Sequence, residues 1–239
     1  MKPLLITTLS GISTLLGIIP TYLNLKYKDK IINYTLSFSA GTMITLSLFS
    51  LIIESLNILN NLFLVLIFLF LGIFISIIID KLISLKTSNN LYKVGIVSLF
   101  ALILHNIPEG IITFISTNNN MKLGLALSLG IALHNIPEGI AIAVPLYHAG
   151  STHKKVFILT LISALSELSG GVISLIFFRN IISYDILGIL YAITAGIMLQ
   201  IAINEELSEA LTYNNKKITL QGFILGSIIM LICIYYFKL

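Results

Sequence analysis

Long apolar segments recur along the whole chain and are separated by short polar stretches. A helix needs about 20 apolar residues to cross the hydrocarbon core of a bilayer, and eight segments meet that length. The predicted spans, numbered 1 to 8, are residues 3–23, 31–57, 61–80, 93–116, 121–148, 155–178, 183–211 and 217–237. This pattern predicts an all-α integral membrane protein with eight transmembrane helices.

Composition agrees with this class. Of the 239 residues, 57% are hydrophobic and 10% are charged, whereas about a quarter of an ordinary soluble domain is charged. The spans leave no room for a separate soluble domain, so we expect one polytopic transmembrane domain over residues 1–239. Span 1 is longer than the 7–15 apolar residues of a signal-peptide core, and we expect it to be a retained helix.

Positive charge is distributed unequally between the two sides of the predicted bundle. The stretches after spans 1, 3, 5 and 7 hold 10 of the 14 lysines and arginines. These are Lys26, Lys28, Lys30, Lys81, Lys86, Lys93, Lys154, Lys155, Lys216 and Lys217. Lys2, Lys122, Arg179 and Lys238 fall on the other side. Because short cytoplasmic loops are enriched in Lys and Arg, we expect the first set to be cytoplasmic and both termini to be extracellular or periplasmic. The net charge of +4 then reflects orientation rather than nucleic-acid binding.

One polar motif occurs twice inside the apolar segments. The sequence HNIPEGI occupies residues 105–111 in span 4 and again 134–140 in span 5. At 100° per helical residue, the His, Asn and Glu of each copy lie within a 100° arc, with the Glu between the other two. Imidazole, amide and carboxylate groups are metal ligands. A carboxylate flanked by two other ligands can bridge two ions.

The two copies are predicted to lie at the same membrane depth. His105 lies 12 residues from the inner end of span 4, and His134 lies 13 residues from the outer end of antiparallel span 5. Glu167 lies 12 residues into span 6. An ionised group at the bilayer centre costs roughly 2.5–3.5 kcal/mol on insertion scales, and no Lys or Arg lies inside a predicted span beyond its first two residues. Either an external cation offsets these carboxylates or they carry protons.

Proline and glycine occur within both motif copies. Pro108 lacks an N–H, so it leaves the Leu104 carbonyl without its helical partner and is expected to bend span 4. Pro137 has the same effect in span 5. Gly110 and Gly139 would allow a neighbouring helix or an ion to approach closely.

Weaker candidates lie near the two ends of the bundle. Glu54, at the outer end of span 2, is a candidate entrance residue. Glu205, Glu206 and Glu209 near the inner end of span 7, with His148 at the inner end of span 5, are candidates for an exit site. For each of them, an ordinary polar helix end remains an alternative.

The doubled H-N-x-P-E-G motif in consecutive spans, followed by a Glu in the next span, resembles the ZIP (Zrt-, Irt-like protein) family of divalent-metal transporters. The bacterial ZupT/GufA-type branch is the nearest. The resemblance implies transport of zinc and related divalent ions into the cytoplasm, through a binuclear site at the membrane midplane between helices 4, 5 and 6. It also implies a multi-pass protein of the cell membrane and a homodimer.

The resemblance assigns ligands residue by residue. The first ion would be bound by His105, Glu109, His134 and Glu138. The second ion would be bound by Asn106, Asn135 and Glu167, with Glu109 and Glu138 bridging. Zn²⁺ is the expected cargo, with Fe²⁺, Mn²⁺, Co²⁺ and Cd²⁺ as further candidates. Glu205, next to Asn204, matches an acidic position of the family near the exit. The chain departs from the family at Ser50, where many relatives carry Glu, and at Ser208, where Pro is common.

Two other classes of function compete with metal transport. A proton- or sodium-coupled carrier of another solute could use the same groups as a relay, although the doubled His favours a transition metal. An intramembrane metalloenzyme would also need His and Glu ligands. The chain lacks H-E-x-x-H, and we expect no enzymatic activity.

Overall fold

The computed structural model describes residues 2–22, 27–85, 87–177 and 184–237. All regular secondary structure in these ranges is helical. Among the described residues, eight helical segments are long and apolar enough to cross a membrane. They are α1 (Lys2–Tyr22), α2 (Lys28–Leu59), α3 (Leu62–Ser84), α4 (Asn90–Asn119), α5 (Met121–His148), α6 (His153–Phe177), α7 (Asp185–Thr212) and α8 (Lys216–Phe237). The chain is therefore a multi-pass membrane protein, as the hydrophobic pattern predicts.

Asparagines define several helix boundaries. The side chain of Asn61 accepts a hydrogen bond from the Leu64 N–H at 3.2 Å and caps α3. Asn89 caps α4 in the same way through the Tyr92 N–H at 3.0 Å. Asn60 ends α2 in the left-handed conformation, with φ 46°. Each residue supplies a turn or a cap that Asn forms readily, so the polar stretches between spans are short connections.

Three helices contain a stretch that is not α-helical. The second half of α1, Ser13–Tyr22, is a 3₁₀ helix that contains Pro20. α2 has a π turn at Ser47–Leu51, and α7 has one at Ala202–Leu207. π turns are frequent at functional sites because they change which side chains face the interior. By contrast, α4 and α5 stay helical through Pro108 and Pro137.

The helices pack in two groups. α4 packs against α5 and α6, and α1 packs against α5 and α6. In the second group, α2 packs against α8 and α3 packs against α7. Smaller contacts of α2 with α5 and of α4 with α7 join the groups. Both motif copies therefore lie within the first group, on its side nearest to α2 and α7.

The distribution of polarity is inverted relative to a soluble protein. Phe63 and Phe70 of α3 are 72% and 62% exposed. Asn33, His105 and Glu138 are at most 1% exposed. An apolar exterior over a polar interior is the arrangement that a lipid surrounding favours.

Most of the described lysines that follow odd-numbered spans lie at helix ends. Contacts between these ends bring the lysines to one face of the bundle, called here the Lys-rich end. The Lys28 ammonium donates a hydrogen bond to the His148 carbonyl at 3.2 Å, which joins α2 to α5. The Lys155 ammonium lies 3.1 Å from the Tyr92 hydroxyl, which joins α6 to α4. The assignment of this end to the cytoplasm stays a prediction. The residues Lys26, Lys86, Arg179 and Lys238 lie outside the described part of the chain.

Candidate metal centre

The two motif copies meet in the interior of the bundle. His105 and Glu109 lie one turn apart on α4, and His134 and Glu138 repeat that spacing on the antiparallel α5. All four side chains are at most 5% exposed. The matched depth that the sequence predicts therefore corresponds to direct contact between the two helices.

Each imidazole contacts a carboxylate of the other helix. The Nε2 atom of His105 lies 3.0 Å from Oε1 of Glu138, and Nε2 of His134 lies 2.9 Å from Oε1 of Glu109. His105 Nε2 is also 3.1 Å from Glu109 Oε1. One ligand atom from each of His105, His134 and Glu138 falls within 4.8 Å of the others. Two imidazole nitrogens and two carboxylate oxygens thus converge on one small volume.

The asparagines and Glu167 form a neighbouring group. The Nδ2 amide of Asn106 donates to the Ser163 carbonyl at 3.0 Å. The Nδ2 amide of Asn135 donates to the Ser10 carbonyl at 3.1 Å and to Oε2 of Glu167 at 2.8 Å. These bonds orient both amides so that the Oδ1 oxygen, rather than the N–H, remains available.

A set of buried acceptor atoms has no hydrogen-bond partner among the described residues. Buried polar atoms are nearly always paired, so such a group of oxygens calls for a ligand that accepts electron pairs. Around the two motif copies, the carboxylate and amide oxygens without a partner are Oε2 of Glu109, Oε2 of Glu138, Oε1 of Glu167, and Oδ1 of Asn106 and Asn135. They come from the residues that the resemblance assigns to the second ion, including its two bridging carboxylates.

Three carboxyl groups lie close together at the site. Glu109 and Glu138 both act electrostatically on Glu167. Within the described ranges, the basic groups in ion-pair distance of these carboxylates are the two imidazoles. A cation bound between the carboxylates would remove this repulsion, which is costly in a low-dielectric interior.

Glycine allows the helices around the site to approach closely. A Cβ atom on Gly110 would overlap the backbone of Glu167, and one on Gly139 would overlap the backbone of Thr14. The expectation that these glycines admit a neighbouring helix is confirmed. On the α6 side, Gly170 has the same relation to the Ile107 carbonyl.

Helix α1 contributes to the site without carrying a recognisable motif. Its Ser10 carbonyl holds Asn135, and its Gly11 lies against the Glu167 side chain, whose Oε2 would be 3.2 Å from a Cβ there. Sequence reasoning missed this helix because a backbone carbonyl and a glycine leave no ligand signature. The only signal in the sequence is that residues 7–11, TTLSG, are mostly small.

A cavity of about 160 Å³ extends from the site toward the end of the bundle opposite the Lys-rich end. Glu54 and Ser50 of α2 line it, together with Glu109 and His134 of the motif copies. Tyr191 of α7 also lines it and was not anticipated. Glu54, predicted as an entrance residue, thus shares a cavity with two ligand candidates.

The candidate exit residues are not gathered in one place. Glu205 and Glu206 are buried at 4% and 0% exposure, while Asn204 is exposed and Glu209 is half-buried. The ring nitrogen Nδ1 of His148 lies 2.9 Å from the Val144 carbonyl of its own helix. The backbone therefore separates Asn204 from the two buried acids.

Lys93 reaches one of these acids, which the sequence did not predict. Its Nζ atom lies 2.7 Å from Oδ1 of Asp80 and 3.1 Å from Oε1 of Glu205. α4 begins at Asn90, three residues before the predicted start of span 4, so Lys93 belongs to the helix rather than to a loop. The Lys93 ammonium thus neutralises Asp80 and Glu205 at the Lys-rich end. In the described structure, no Lys or Arg forms a salt bridge with the carboxylates of the motif copies.

A polytopic helical bundle with a buried cluster of His, Asn and Glu ligands is the architecture of a membrane metal transporter. The family model described as ZIP Zinc transporter matches residues 86–234, and the chain belongs to this family. The predicted resemblance to this family is confirmed. The match begins just before α4 and covers the helices that carry both motif copies, Glu167 and the α7 acids.

Curated relatives support the same family. The chain is 33% identical over 97 residues to a protein named Zinc transporter ZupT from Chlorobium chlorochromatii, an alignment that covers 41% of this chain and 36% of the relative. The protein of that name from Clostridium perfringens is 33% identical over 97 residues, which cover 41% of this chain and 34% of the relative. The one from Campylobacter jejuni is 36% identical over 90 residues, which cover 38% of this chain and 31% of the relative. The chain thus aligns with about a third of the length of these relatives.

Proposed function

We propose that this protein transports zinc and related divalent transition-metal ions across the membrane into the cytoplasm. The observation that carries the proposal is the set of five unpaired buried oxygens beside two His–Glu contacts. Nitrogen and oxygen donors without a thiolate suit Zn²⁺, Fe²⁺, Mn²⁺, Co²⁺ and Cd²⁺. The ZIP family membership and the relatives named as zinc transporters favour Zn²⁺.

The proposed site binds two ions at the membrane midplane. The ligands of the first ion are His105, Glu109, His134 and Glu138. The ligands of the second ion are Asn106, Asn135 and Glu167, with the second oxygens of Glu109 and Glu138 as bridges. This division is supported by the hydrogen bonds that fix both amides with Oδ1 unpaired. Two ions that share carboxylates repel one another, which allows strong capture and ready release.

The proposed direction of transport is from the cavity toward the Lys-rich end. The cavity that contains Glu54 leads to Glu109 and His134 from the opposite end, and the excess of lysine predicts that the Lys-rich end is cytoplasmic. Location in the cell membrane and assembly as a homodimer stay predictions from the family resemblance.

Metal uptake into proteoliposomes tests the proposal. Zn²⁺ entry would be followed with an indicator inside the vesicles, and Fe²⁺, Mn²⁺, Co²⁺ and Cd²⁺ would be supplied as competitors. We expect Glu109→Ala and His134→Ala to lower Zn²⁺ uptake by about 10–100-fold, in line with losses seen when metal-site groups are changed. Asp185→Asn, at an exposed acid on α7, is the control and should retain the wild-type rate. Unchanged Zn²⁺ flux in both site variants would contradict the proposal.

A further inference from the structure

Two consecutive acids of α7 face the interior of the bundle. Neighbouring helical residues diverge by 100° around the axis, so two adjacent side chains can share the buried side of a helix. Here Glu205 and Glu206 are 4% and 0% exposed, while Ile203 is 49% exposed. The π turn spans Ala202–Leu207 and contains both acids.

The two acids have different surroundings. Glu205 is compensated, because the Lys93 ammonium lies 3.1 Å from its Oε1 and also 2.7 Å from Oδ1 of Asp80. A tethered cation therefore already occupies the space between Asp80 and Glu205. A metal ion could use Glu205 only by displacing Lys93.

Glu206 has no such compensation. Among the described residues, neither of its carboxylate oxygens has a hydrogen-bond partner. The charged groups that act on it are Glu138 and Glu205, and both are acidic. An isolated buried carboxylate is expensive, and the repulsion from two further acids adds to that cost. A bound cation would offset both costs.

The neighbours of Glu206 on α2 are suited to a weak metal site. The Ser39 hydroxyl lies beside the carboxylate, and the thioether sulfur of Met43 is 3.8 Å from the Ser39 oxygen. Both residues are at most 1% exposed. A carboxylate, a hydroxyl and a thioether bind borderline divalent ions, with water completing the shell. A single carboxylate binds weakly enough to permit release.

We propose that Glu206, rather than Glu205, forms the cation site that receives metal from the midplane centre on its way to the Lys-rich end, while Lys93 keeps Glu205 from serving as that site. The role of this site in receiving metal during transport rests on the proposed function. Glu206 lies within electrostatic range of both Glu138 of the midplane centre and Glu205 of the Lys-rich end. The site is specific to divalent metal ions and uses ligands from α7 and α2.

Metal binding to the purified full chain in detergent tests the site without requiring transport. Cd²⁺ is the probe, titrated calorimetrically against wild type, Glu206→Gln and the matched variant Glu205→Gln. We expect Glu206→Gln to bind one weak ion fewer, and Glu205→Gln to bind the wild-type number. In proteoliposomes, Glu206→Gln should lower the maximal uptake rate at least about tenfold, and Glu205→Gln less than about threefold. The maximal rate is informative because the site acts after capture.

The variant Lys93→Gln provides an independent test of the role of Lys93. Removing the ammonium should free Glu205 and add one Cd²⁺ ion, and the double variant Lys93→Gln/Glu205→Gln should lose it again.

Glu206→Gln removes a buried charge at constant shape, so its melting temperature should not fall below that of wild type. This control separates a lost site from a misfolded chain. The proposal is overturned if Glu206→Gln binds as many ions as wild type, or if Glu205→Gln loses as much as Glu206→Gln. If wild type binds these ions but shows no uptake, the proposed function fails while the Glu206 site stands.

Discussion

The Nδ2 amide of Asn135 lies 2.8 Å from Oε2 of Glu167, which ties the second motif copy on α5 to the acid on α6. The same amide nitrogen also donates to the Ser10 carbonyl of α1. One side chain thereby joins three helices at the proposed second-ion position. Its Oδ1 and the other carboxylate oxygen of Glu167 remain without a partner in the described structure. This pairing makes the two halves of the proposed binuclear site separable by mutation.

The first prediction is that Glu167→Gln removes the second ion and spares the first. Glu167 contributes its unpaired Oε1 beside the asparagines, whereas the His–Glu contacts of the first position involve only α4 and α5. Metal analysis of the purified variant should therefore give about one Zn²⁺ fewer than wild type, with the affinity of the tighter ion changed by less than about tenfold. Loss of both ions would show that the two positions cannot be separated in this way.

The contacts within the motifs were predictable, because they depend on local spacing and depth. His105 and Glu109 share a helix face by their four-residue spacing, and the lengths of spans 4 and 5 bring His134 to the same level. Ser10 and Tyr191 were not predictable. A backbone carbonyl and a single aromatic carry no pattern that distinguishes them from packing residues.

The Lys-rich end was predicted less well, and the reasons are structural. The predicted span 4 begins only at Lys93, which was also counted with the preceding polar stretch. In the structure α4 begins three residues earlier, and the Lys93 ammonium lies beside Asp80 and Glu205. Glu205 and Glu206 of the π turn at Ala202–Leu207 are buried together, while Asn204 is exposed. The position of a π turn and the face of α7 that packs inward depend on tertiary packing, which the acids of span 7 alone do not reveal.

The second prediction concerns the close approach of α4 and α6. A Cβ atom added at Gly110 would overlap the Glu167 carbonyl, which is backbone and cannot move alone. We expect Gly110→Ala to separate the helices, to cost about 1–3 kcal/mol of stability, and to weaken Zn²⁺ binding. Thermal unfolding in detergent, with and without Zn²⁺, measures both effects.

Gly171→Ala on α6 is the matched control for this prediction. Its added Cβ would lie 3.2 Å from the Cγ2 atom of Thr7, a side-chain contact that can relax. A variant at Gly110 with wild-type stability and Zn²⁺ affinity would show that the backbone approach is not needed for the site.

The third prediction assigns Glu54 to capture rather than to tight binding. Glu54 lines the cavity that also reaches Glu109 and His134, and a carboxylate there raises the local concentration of cations. Glu54→Gln should raise the Zn²⁺ concentration for half-maximal uptake by about 2–10-fold at low salt, with the maximal rate retained. Added monovalent salt should reduce the difference from wild type, since it screens a charge that solvent partly reaches. An unchanged half-maximal concentration at low salt would argue against the entrance role.

The fourth prediction uses Asn135→Asp to convert hydrogen bonding into repulsion. The new carboxylate would replace the amide that now donates to Glu167 Oε2 and to the Ser10 carbonyl, so two acids would face each other without a donor between them. The metal-free protein should be less stable than wild type, because like charges in a low-dielectric site repel strongly. A bound divalent ion would offset that repulsion, and Zn²⁺ should therefore raise the melting temperature of the variant by more than it raises that of wild type. Asn135→Leu, which removes both the amide and the ligand oxygen, should lower the metal-free melting temperature without gaining this larger Zn²⁺ response. Equal Zn²⁺-induced shifts in Asn135→Asp and wild type would mean that no ion binds beside Asn135 and Glu167.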